Sequence, residues 1–507
     1  MANTLRIPRA HLALAICLPL AIILGYFLSD PLEPNSLMLV GFVFGGLSIP
    51  LLMKWHHPFL IFCWNSALAL SFLPGQPDMW TVVAGIGLFF GILNRSVDAS
   101  KRFLDVPQIR TPLLLLGLVV MVTAYLNGGI GMAALGSDQL GGKRYFYICV
   151  AIMGFFALTS QRIPASRANF YVSMFFLSMI TGIIPNLAFY AGSKLDFIYY
   201  FFSAAYSGEQ VNAAVSGGTA RIFGLTMVAT GLLSYLLARF GIRGIFQPGR
   251  IWRMLFLIGA FTACLASGFR SLLILLGLIF IIQFFLEKLH KTNLLWMLVG
   301  VTLVGGVIAI SQAQRLPFFV QRTLSFLPID ITPEAKLSGT TTLEWRFQMW
   351  EALLPEVPPH LLKGKGYAID RSALYFSGDA SRQVNGGFEW AVVSGDYHNG
   401  PLSLIIPFGI WGVLAFGWFI WSCLRFLYAK HRNGDPRLQQ ANTLLFSFFL
   451  ARLILWTFFV GSFYGDLYIF TGVIGLSISL NGVAAEAPES VVAEDEVADT
   501  GYRDDYA

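Results

Sequence analysis

The chain has 507 residues, of which 56% are hydrophobic and only 12% are charged. Globular domains average about 25% charged residues, so this composition excludes a soluble globular protein and makes the lipid bilayer the expected partner of much of the chain. The formal net charge of +6 does not indicate a nucleic-acid partner, because the lysines and arginines are spread over short loops, as orientation signals in membrane proteins are.

Apolar stretches recur along the chain, and each is long enough, or nearly so, to cross a hydrocarbon core, which takes ~20 residues per helix. They lack the polar–apolar alternation of barrel strands, so helices are expected. The predicted fold class is all-α, a polytopic transmembrane helix bundle of about 12–14 spans with a partly helical periplasmic segment. The spans are predicted near residues 10–29, 36–53, 58–74, 78–94, 112–132, 144–160, 169–191, 221–240, 251–269, 271–287, 293–312, 401–426, 441–460 and 464–482.

The charges of the loops predict which side each loop occupies. If the N-terminus is cytoplasmic, cations concentrate in the inner loops, which is the positive-inside bias. The inner cations are Lys54, Arg95, Lys101, Arg102, Arg110, Arg162, Arg167, Arg239, Arg243, Arg250, Arg253, Lys288, Lys291, Lys430, Arg432 and Arg437. The outer loops carry mainly acids, and their few cations are Lys143, Arg144 and Lys194.

This topology divides the chain into four parts. Residues 1–312 form the first transmembrane bundle, residues 313–398 form a polar segment on the outer side, and residues 399–482 form the C-terminal spans. Residues 483–507 are acidic and poor in large apolar groups, so we expect a disordered cytoplasmic tail. The same topology predicts that any chemistry in the polar segment faces outward.

One helix is predicted within the polar segment. The pattern Thr341-x-x-Glu344 is typical of a capping box that opens a helix. Pro355 and the Pro358-Pro359 pair are expected to end it. The apolar residues expected on one face of this helix are Leu343, Phe347, Trp350 and Leu354.

Three arginines are predicted on the outer side of the membrane. Arg270 lies between two apolar runs, Arg221 opens a span, and Arg346 lies at the edge of the apolar face of the predicted helix. Each alone is compatible with an arginine that anchors the chain at the interface. Together they indicate an anion site, because guanidinium groups suit phosphate oxygens.

His398 is the histidine whose setting suggests chemistry, since it ends the polar segment and precedes an apolar run. A histidine at a helix start is often structural, so the alternatives are a cap or a general base. A metal site would need Asp396 and His398 plus ligands such as Glu344, Glu389 or Asp330, but no spacing indicates one, and we expect no metal. Paired-carboxylate glycosidase chemistry through Glu344, Glu351 and Glu389 stays open.

The C-terminal half of the chain resembles the superfamily of O-antigen ligases and O-antigen polymerases, which are bacterial polytopic membrane glycosyltransferases. The resemblance rests on Ala266-Ser267-Gly268-Phe269-Arg270-Ser271, on Arg346-x-x-x-Trp350 leading to Gly364-x-Gly366, and on His398-Asn399 with Gly409 and Gly412 downstream. Arg221 with Phe223-Gly224 resembles the arginine that opens an earlier helix in this family. Phe269 departs from the small residue usual beside the membrane arginine.

The resemblance implies an enzyme of the bacterial inner membrane with its active site facing the periplasm. The implied donor is a glycan on undecaprenyl pyrophosphate, and the implied acceptor is a sugar hydroxyl of the lipid A core. Transfer would invert the anomeric centre and use neither a metal nor another cofactor. His398 is expected to act as general base, Arg270 and Arg221 to hold the pyrophosphate, Arg346 to join them or position the acceptor, and Asn399 to contact substrate.

Three alternatives to the ligase stay open at this stage. An O-antigen or exopolysaccharide polymerase would join lipid-linked repeat units with the same residues. A transporter or flippase of lipid-linked glycans would instead place charged or broken-helix sites near the bilayer midplane. A structural membrane protein would use the arginines only as interfacial anchors.

Overall fold

The computed structural model describes residues 9–28, 34–73, 75–98, 103–131, 139–208, 210–211, 214, 221–370, 372, 375 and 388–482. Helices dominate this part of the chain, which confirms the predicted all-α polytopic bundle. Eight helical stretches within it are long and apolar enough to cross a membrane, and the apolar helices Ile251–Ala266 and Arg270–Leu286 are shorter. The predicted acidic tail, residues 483–507, lies outside the described residues.

The first half of the described chain contributes eight helices. They are α1 (Arg9–Leu28), α2 (Pro34–Trp64), α3 (Met79–Val97), α4 (Pro107–Leu126), α5 (Gly142–Leu158), α6 (Ala168–Leu177), α7 (Ile183–Ala191) and α8 (Phe223–Ile245). A 3-10 turn joins α6 to α7, and together with the turn before α6 they form one apolar stretch, Ala165–Ala191. Short 3-10 turns at Ser193–Tyr200 and Ala204–Ser207 follow α7.

The second half contributes the remaining helices and a short β-ladder. The helices are α9 (Ile251–Ala266), α10 (Arg270–Leu286), α11 (Leu294–Ser311), α12 (Phe318–Leu324), α13 (Pro333–Leu353), α14 (Val357–His360), α15 (Glu389–Ser394), α16 (Gly400–Asn433), α17 (Gln439–Phe458) and α18 (Phe463–Asn481). Strands β1 (Gln139–Leu140) and β2 (Ile369–Asp370) pair antiparallel.

The core between α2, α5 and α18 is built around one indole. Trp64 is fully buried, and its Nε1 donates a hydrogen bond to the carbonyl oxygen of Tyr468 at 3.1 Å. A Cβ at Gly154 would come 2.5 Å from this ring, and one at Gly472 would also overlap with it. Glycine on α5 and on α18 therefore lets these helices close around the indole. Helix α11, by contrast, has no buried residue, as expected for a helix that faces lipid.

The connections that carry the site meet at one end of the bundle, which we call the site end. Strand β1, between α4 and α5, pairs with β2 of the polar segment. The Ile222 N–H before α8 donates to the carbonyl of Ser267, in the turn between α9 and α10, at 3.2 Å. The Phe463 N–H at the start of α18 donates to Ser403 Oγ on α16 at 2.8 Å. Backbone segments far apart in sequence are thus fixed next to each other.

The prediction of two separate helices at 36–53 and 58–74 is wrong, because α2 is continuous through the basic stretch between them and residues 65–73 are not helical. His56 and His57, which favoured a loop here, form hydrogen bonds with backbone carbonyls instead. His56 Nδ1 donates to the carbonyl of Leu52 at 3.1 Å within α2, and His57 Nε2 bonds the last carbonyl of α5 at 2.8 Å. Satisfied in this way, the polar side chains do not interrupt the helix.

The helix predicted in the polar segment exists, but its start was placed wrongly. Helix α13 begins at Pro333, and proline favours the first helical position, so Thr341 and Glu344 lie inside the helix and form no cap. Its predicted end before Pro355 is confirmed. The predicted apolar face is wrong for Leu343, Phe347 and Leu354, which are exposed. Met349 and Leu353 are buried instead and pack against the start of α16, and Trp350 packs against the same cluster.

Candidate active site

His398 lies in a five-residue loop between α15 and α16. Gly395 ends α15 with a φ of 72°, and the Asp396 N–H donates to the carbonyl of Ala391 at 2.9 Å. Asn399 begins α16 as its N-cap, and its Oδ1 accepts a hydrogen bond from the N–H of Leu402 at 2.9 Å. Both ends of the loop are therefore fixed by hydrogen bonds to neighbouring helices.

The backbone of His398 adopts a strained conformation. Its φ of 46° is in the left-handed region, which residues with a Cβ seldom adopt and which costs of order 1–3 kcal/mol. The residue before it, Tyr397, is buried, and its carbonyl accepts a hydrogen bond from Trp350 Nε1 at 2.9 Å. Burial and this bond hold the strained loop in place, and such strain is common where a side chain must be presented in one orientation.

The imidazole of His398 is half-buried and has a charged neighbour of each sign. Nδ1 lies 3.8 Å from Asp396 Oδ1, and the ring centre lies 5.6 Å from that of Trp345 on α13. Burial lowers the pKa of His398 below its ordinary value; Asp396 opposes the shift, and Arg346 adds to it. The imidazole is therefore neutral at neutral pH, which is the form that can accept a proton.

Arg270 and Arg221 meet at the turn between α9 and α10. Gly268 in this turn has a φ of 76°, and a Cβ there would come 3.4 Å from Arg221 Cγ. The guanidinium of Arg221 lies over the ring of Phe269, 5.3 Å from its centre. Phe269, the residue that departs from the family pattern, therefore forms a cation–π contact with one of the predicted site arginines.

Arg270, the first residue of α10, connects the bundle to the polar segment. Its Nη2 donates to the carbonyl of Gly339 on α13 at 3.1 Å, and its Nη1 donates to Ser325 Oγ at 3.4 Å. These contacts orient the guanidinium and place α13 next to the turn between α9 and α10, which contacts Arg221.

Arg346, two helical turns after Gly339 on α13, completes the cluster. Burial lowers its pKa, Arg270 and Arg221 lower it further, and Asp396 opposes the shift. Its Nε is buried, and the part of the chain that the structure describes offers this atom no hydrogen-bond partner. Three guanidinium groups with one carboxylate leave a net positive field, which favours an anion.

The structure thus brings Arg221, Arg270, Arg346 and His398 together at the site end, as the sequence predicted for their arrangement. Their catalytic roles stay predictions. The side chain of Asn399 caps α16 through its oxygen, so only its Nδ2 group is left as a donor towards a substrate. In the sequence, Asp396 is a candidate metal ligand only, and its spacing does not indicate that its carboxylate lies close to the imidazole of His398.

Arg144 is a further cation at this site that the sequence analysis did not select. Its guanidinium lies 4.9 Å from the ring centre of Tyr464 and 5.3 Å from that of Tyr367. A Cβ at Gly395 would come 2.6 Å from Arg144 Nη1, so this side chain packs against the turn before Asp396. The available signal was its place among the few cations of the outer loops.

One part of the chain matches a known protein family. Residues 254–417 match the family model described as O-antigen ligase. The match runs from α9 into α16, so it includes Arg270, Arg346, Asp396 and His398, while Arg221 lies before it. No curated protein matches the chain. This match identifies an O-antigen ligase domain in residues 254–417 and supports membership of the chain in the O-antigen ligase superfamily, whose role is of the glycosyltransferase type.

Proposed function

We propose that the protein transfers a glycan from undecaprenyl pyrophosphate to a sugar hydroxyl of the lipid A core. The observation that carries this proposal is the juxtaposition of a neutral, half-buried imidazole with a cluster of guanidinium groups. A base and an anion site are the two requirements of such a transfer, because the pyrophosphate link already activates the donor sugar. The family match adds that Arg270, Arg346 and His398 lie in an O-antigen ligase domain, while Arg221 precedes it.

In the proposed reaction, the oxygen of the acceptor hydroxyl attacks the anomeric carbon of the donor sugar from the face opposite the pyrophosphate. The bond between this carbon and the pyrophosphate oxygen breaks, and undecaprenyl pyrophosphate leaves with the electron pair. The hydroxyl proton passes to His398. A single displacement of this kind inverts the anomeric centre, and general-base assistance contributes ~10²–10⁴-fold.

The arginines stabilise the charge that grows on the leaving group. Arg270 and Arg221 hold the pyrophosphate, and their positive charge is fixed before the reaction begins. Arg346 interacts electrostatically with this pair and with His398, so it either shares the pyrophosphate or holds the acceptor close to the base. Arg270 depends on the polar segment for its orientation, since it donates to Ser325 and Gly339. The polar segment and the bundle therefore form one binding site.

The site end is proposed to face the periplasm of a bacterial inner membrane. The connections at the opposite end carry clusters of basic residues, for example Lys288 and Lys291 between α10 and α11, and Lys430 and Arg432 at the end of α16. Basic loops remain on the cytoplasmic side, which leaves the site end outside. A lipid-linked donor would then reach the arginines from the outer leaflet.

The decisive experiment uses the purified full chain in nanodiscs with a lipid-linked glycan donor. One reaction contains lipid A core and a second contains further lipid-linked repeat units. Glycan attached to the core supports the ligase; lengthened lipid-linked glycan without attachment indicates a polymerase instead. Vesicles that take up labelled donor without any transfer would indicate a transporter.

The variant His398→Ala tests the proposed base in the same assay. Transfer is expected to fall by ~10²–10⁴-fold. His360→Ala is the matched control, because this histidine also lies in the polar segment but its Nδ1 bonds to the carbonyl of Glu356 at 2.8 Å. Equal rates for the wild type and His398→Ala would refute the assignment.

A further inference from the structure

Asp396 lies next to the proposed base, and the proposed reaction gives it no role. We propose that Asp396 is a positioning residue that holds the His398 imidazole with Nδ1 towards its carboxylate and Nε2 towards the acceptor hydroxyl. The inference rests on the proposed function, but it concerns a different residue and one specific tautomer. It assigns the accepting atom of the reaction to Nε2.

The loop geometry keeps this carboxylate beside the imidazole. Asp396 Oδ1 lies 3.8 Å from His398 Nδ1, and the two residues are separated by the buried Tyr397. The backbone on either side is fixed, since the Asp396 N–H bonds to α15 and Asn399 caps α16. Such catalytic contacts are commonly long before the substrate complex forms and tighten within it.

The turn that presents Asp396 is supported from a third element. Arg144, at the start of α5, packs against Gly395 and lies over the ring of Tyr464. Gly395 has a φ of 72°, and a Cβ there would come 2.6 Å from Arg144 Nη1, so this turn requires glycine. The backbone position of Asp396 is therefore supported by α5, α15 and α16 together.

The charged groups around the His398 imidazole indicate how the Asp396 carboxylate would assist the reaction. Asp396, from the same loop, faces the His398 imidazole. Arg346 and Trp345 face it from α13. When Nε2 accepts the hydroxyl proton, a positive charge develops on a ring that already lies near a guanidinium. The carboxylate of Asp396 offsets the repulsion from Arg346 and accepts a hydrogen bond from the Nδ1–H of the ring. Without this carboxylate, the protonated state would be destabilised.

The test compares Asp396→Asn with Asp396→Glu in the transfer assay across a range of pH. Asparagine keeps the shape of the side chain but removes its charge, so the rate at the pH plateau should fall at least ~10-fold, less than the ~10²–10⁴-fold loss of the base itself. Asp396 raises the pKa of His398, so its removal should also move the acid limb of the profile to lower pH. Asp396→Glu should keep the acid limb in place.

Asp330→Asn is the matched control, because it removes an exposed carboxylate from the same polar segment. It should leave both rate and acid limb unchanged. An Asp396→Asn variant with the wild-type rate and acid limb would overturn the inference while leaving the proposed function intact. Absence of transfer by the wild type would instead contradict the proposed function.

A second measurement does not depend on turnover. In protein labelled with ¹⁵N in its imidazole rings, the resonances of His398 are assigned by their loss in His398→Gln. The neutral ring is expected to carry its proton on Nδ1 in the wild type and to populate the Nε2–H tautomer more in Asp396→Asn. A wild-type His398 that is mainly protonated on Nε2 would overturn the inference, whatever the activity of the enzyme.

Discussion

Trp350 on α13 donates a hydrogen bond from its indole Nε1 to the carbonyl oxygen of Tyr397, at a distance of 2.9 Å. This bond joins two segments of the polar region that are separated by 47 positions in the sequence. One of them also carries Arg346, and the other carries His398. This hydrogen bond, together with the packing of Met349 and Leu353 against Tyr397 and the start of α16, therefore helps to set the relative position of the proposed base and the proposed anion site.

Trp350→Phe removes this donor and keeps an aromatic ring. The carbonyl of Tyr397 is then left without its partner in a buried setting, which costs ~1–3 kcal/mol. We expect kcat to fall by about 10-fold, because the strained loop relaxes, while KM for the donor changes little, because the arginines are untouched. Trp421→Phe, on the exposed face of α16, is the control. A wild-type kcat for Trp350→Phe would contradict this account.

The acid limb of the pH–rate profile is the second prediction. If His398 is the base, as proposed, its neutral form is the active one, so the rate should rise as pH increases through its pKa. Arg346 lowers that pKa, and its replacement in Arg346→Gln should therefore move the acid limb to higher pH. The direction is opposite to that expected for Asp396→Asn. Profiles that move in the same direction for both variants would show that these charges do not act on one imidazole.

The ring of Phe269 supports the third prediction. Its contact with the Arg221 guanidinium is worth ~0.5–2 kcal/mol, depending on how far the pair is shielded from water. Phe269→Leu keeps the apolar volume but loses the ring face, so we expect KM for the lipid-linked donor to rise by a few-fold with little change in kcat. Phe261→Leu, at an exposed position of α9, controls for the loss of a phenylalanine. An unchanged KM for the donor would show that the ring of Phe269 does not contribute to donor binding.

The sequence was most informative where chemistry required a particular residue type. Arg221, Arg270, Arg346 and His398 could be selected because guanidinium and imidazole groups are costly in an apolar chain and need a reason to be there. Asp396 could not be assigned in the same way. Its role depends on the left-handed backbone of His398, and no local pattern announces that conformation at a histidine.

Helix boundaries were least predictable where polar side chains bond to backbone over long distances. His57 resembles a loop residue in sequence, but its partner is the last carbonyl of α5, 101 positions away. Thr341 and Glu344 have the spacing of a cap, although α13 has already begun at Pro333. In each case tertiary contacts or an earlier start signal outweigh the local pattern.

Gly339 on α13 supports the last prediction, which concerns the orientation of Arg270. A Cβ at this position would overlap with Ser325 Oγ and come within 3.5 Å of Arg270 Nη1. In an ordinary helix, replacing glycine with alanine stabilises the fold by ~1 kcal/mol. Here Gly339→Ala should instead displace Ser325 and the guanidinium, so transfer should fall by about 10-fold and donor KM should rise.

Gly306→Ala is the matched control for this variant. It lies within α11, and nothing approaches the position of its Cβ within 4 Å, so the same substitution should leave transfer unchanged and raise or preserve the thermal unfolding temperature. Because both variants add one methyl group to a helix, a difference between them reports the contact with Arg270. If Gly339→Ala binds the donor as the wild type does, donor binding does not depend on the contact between α13 and Arg270.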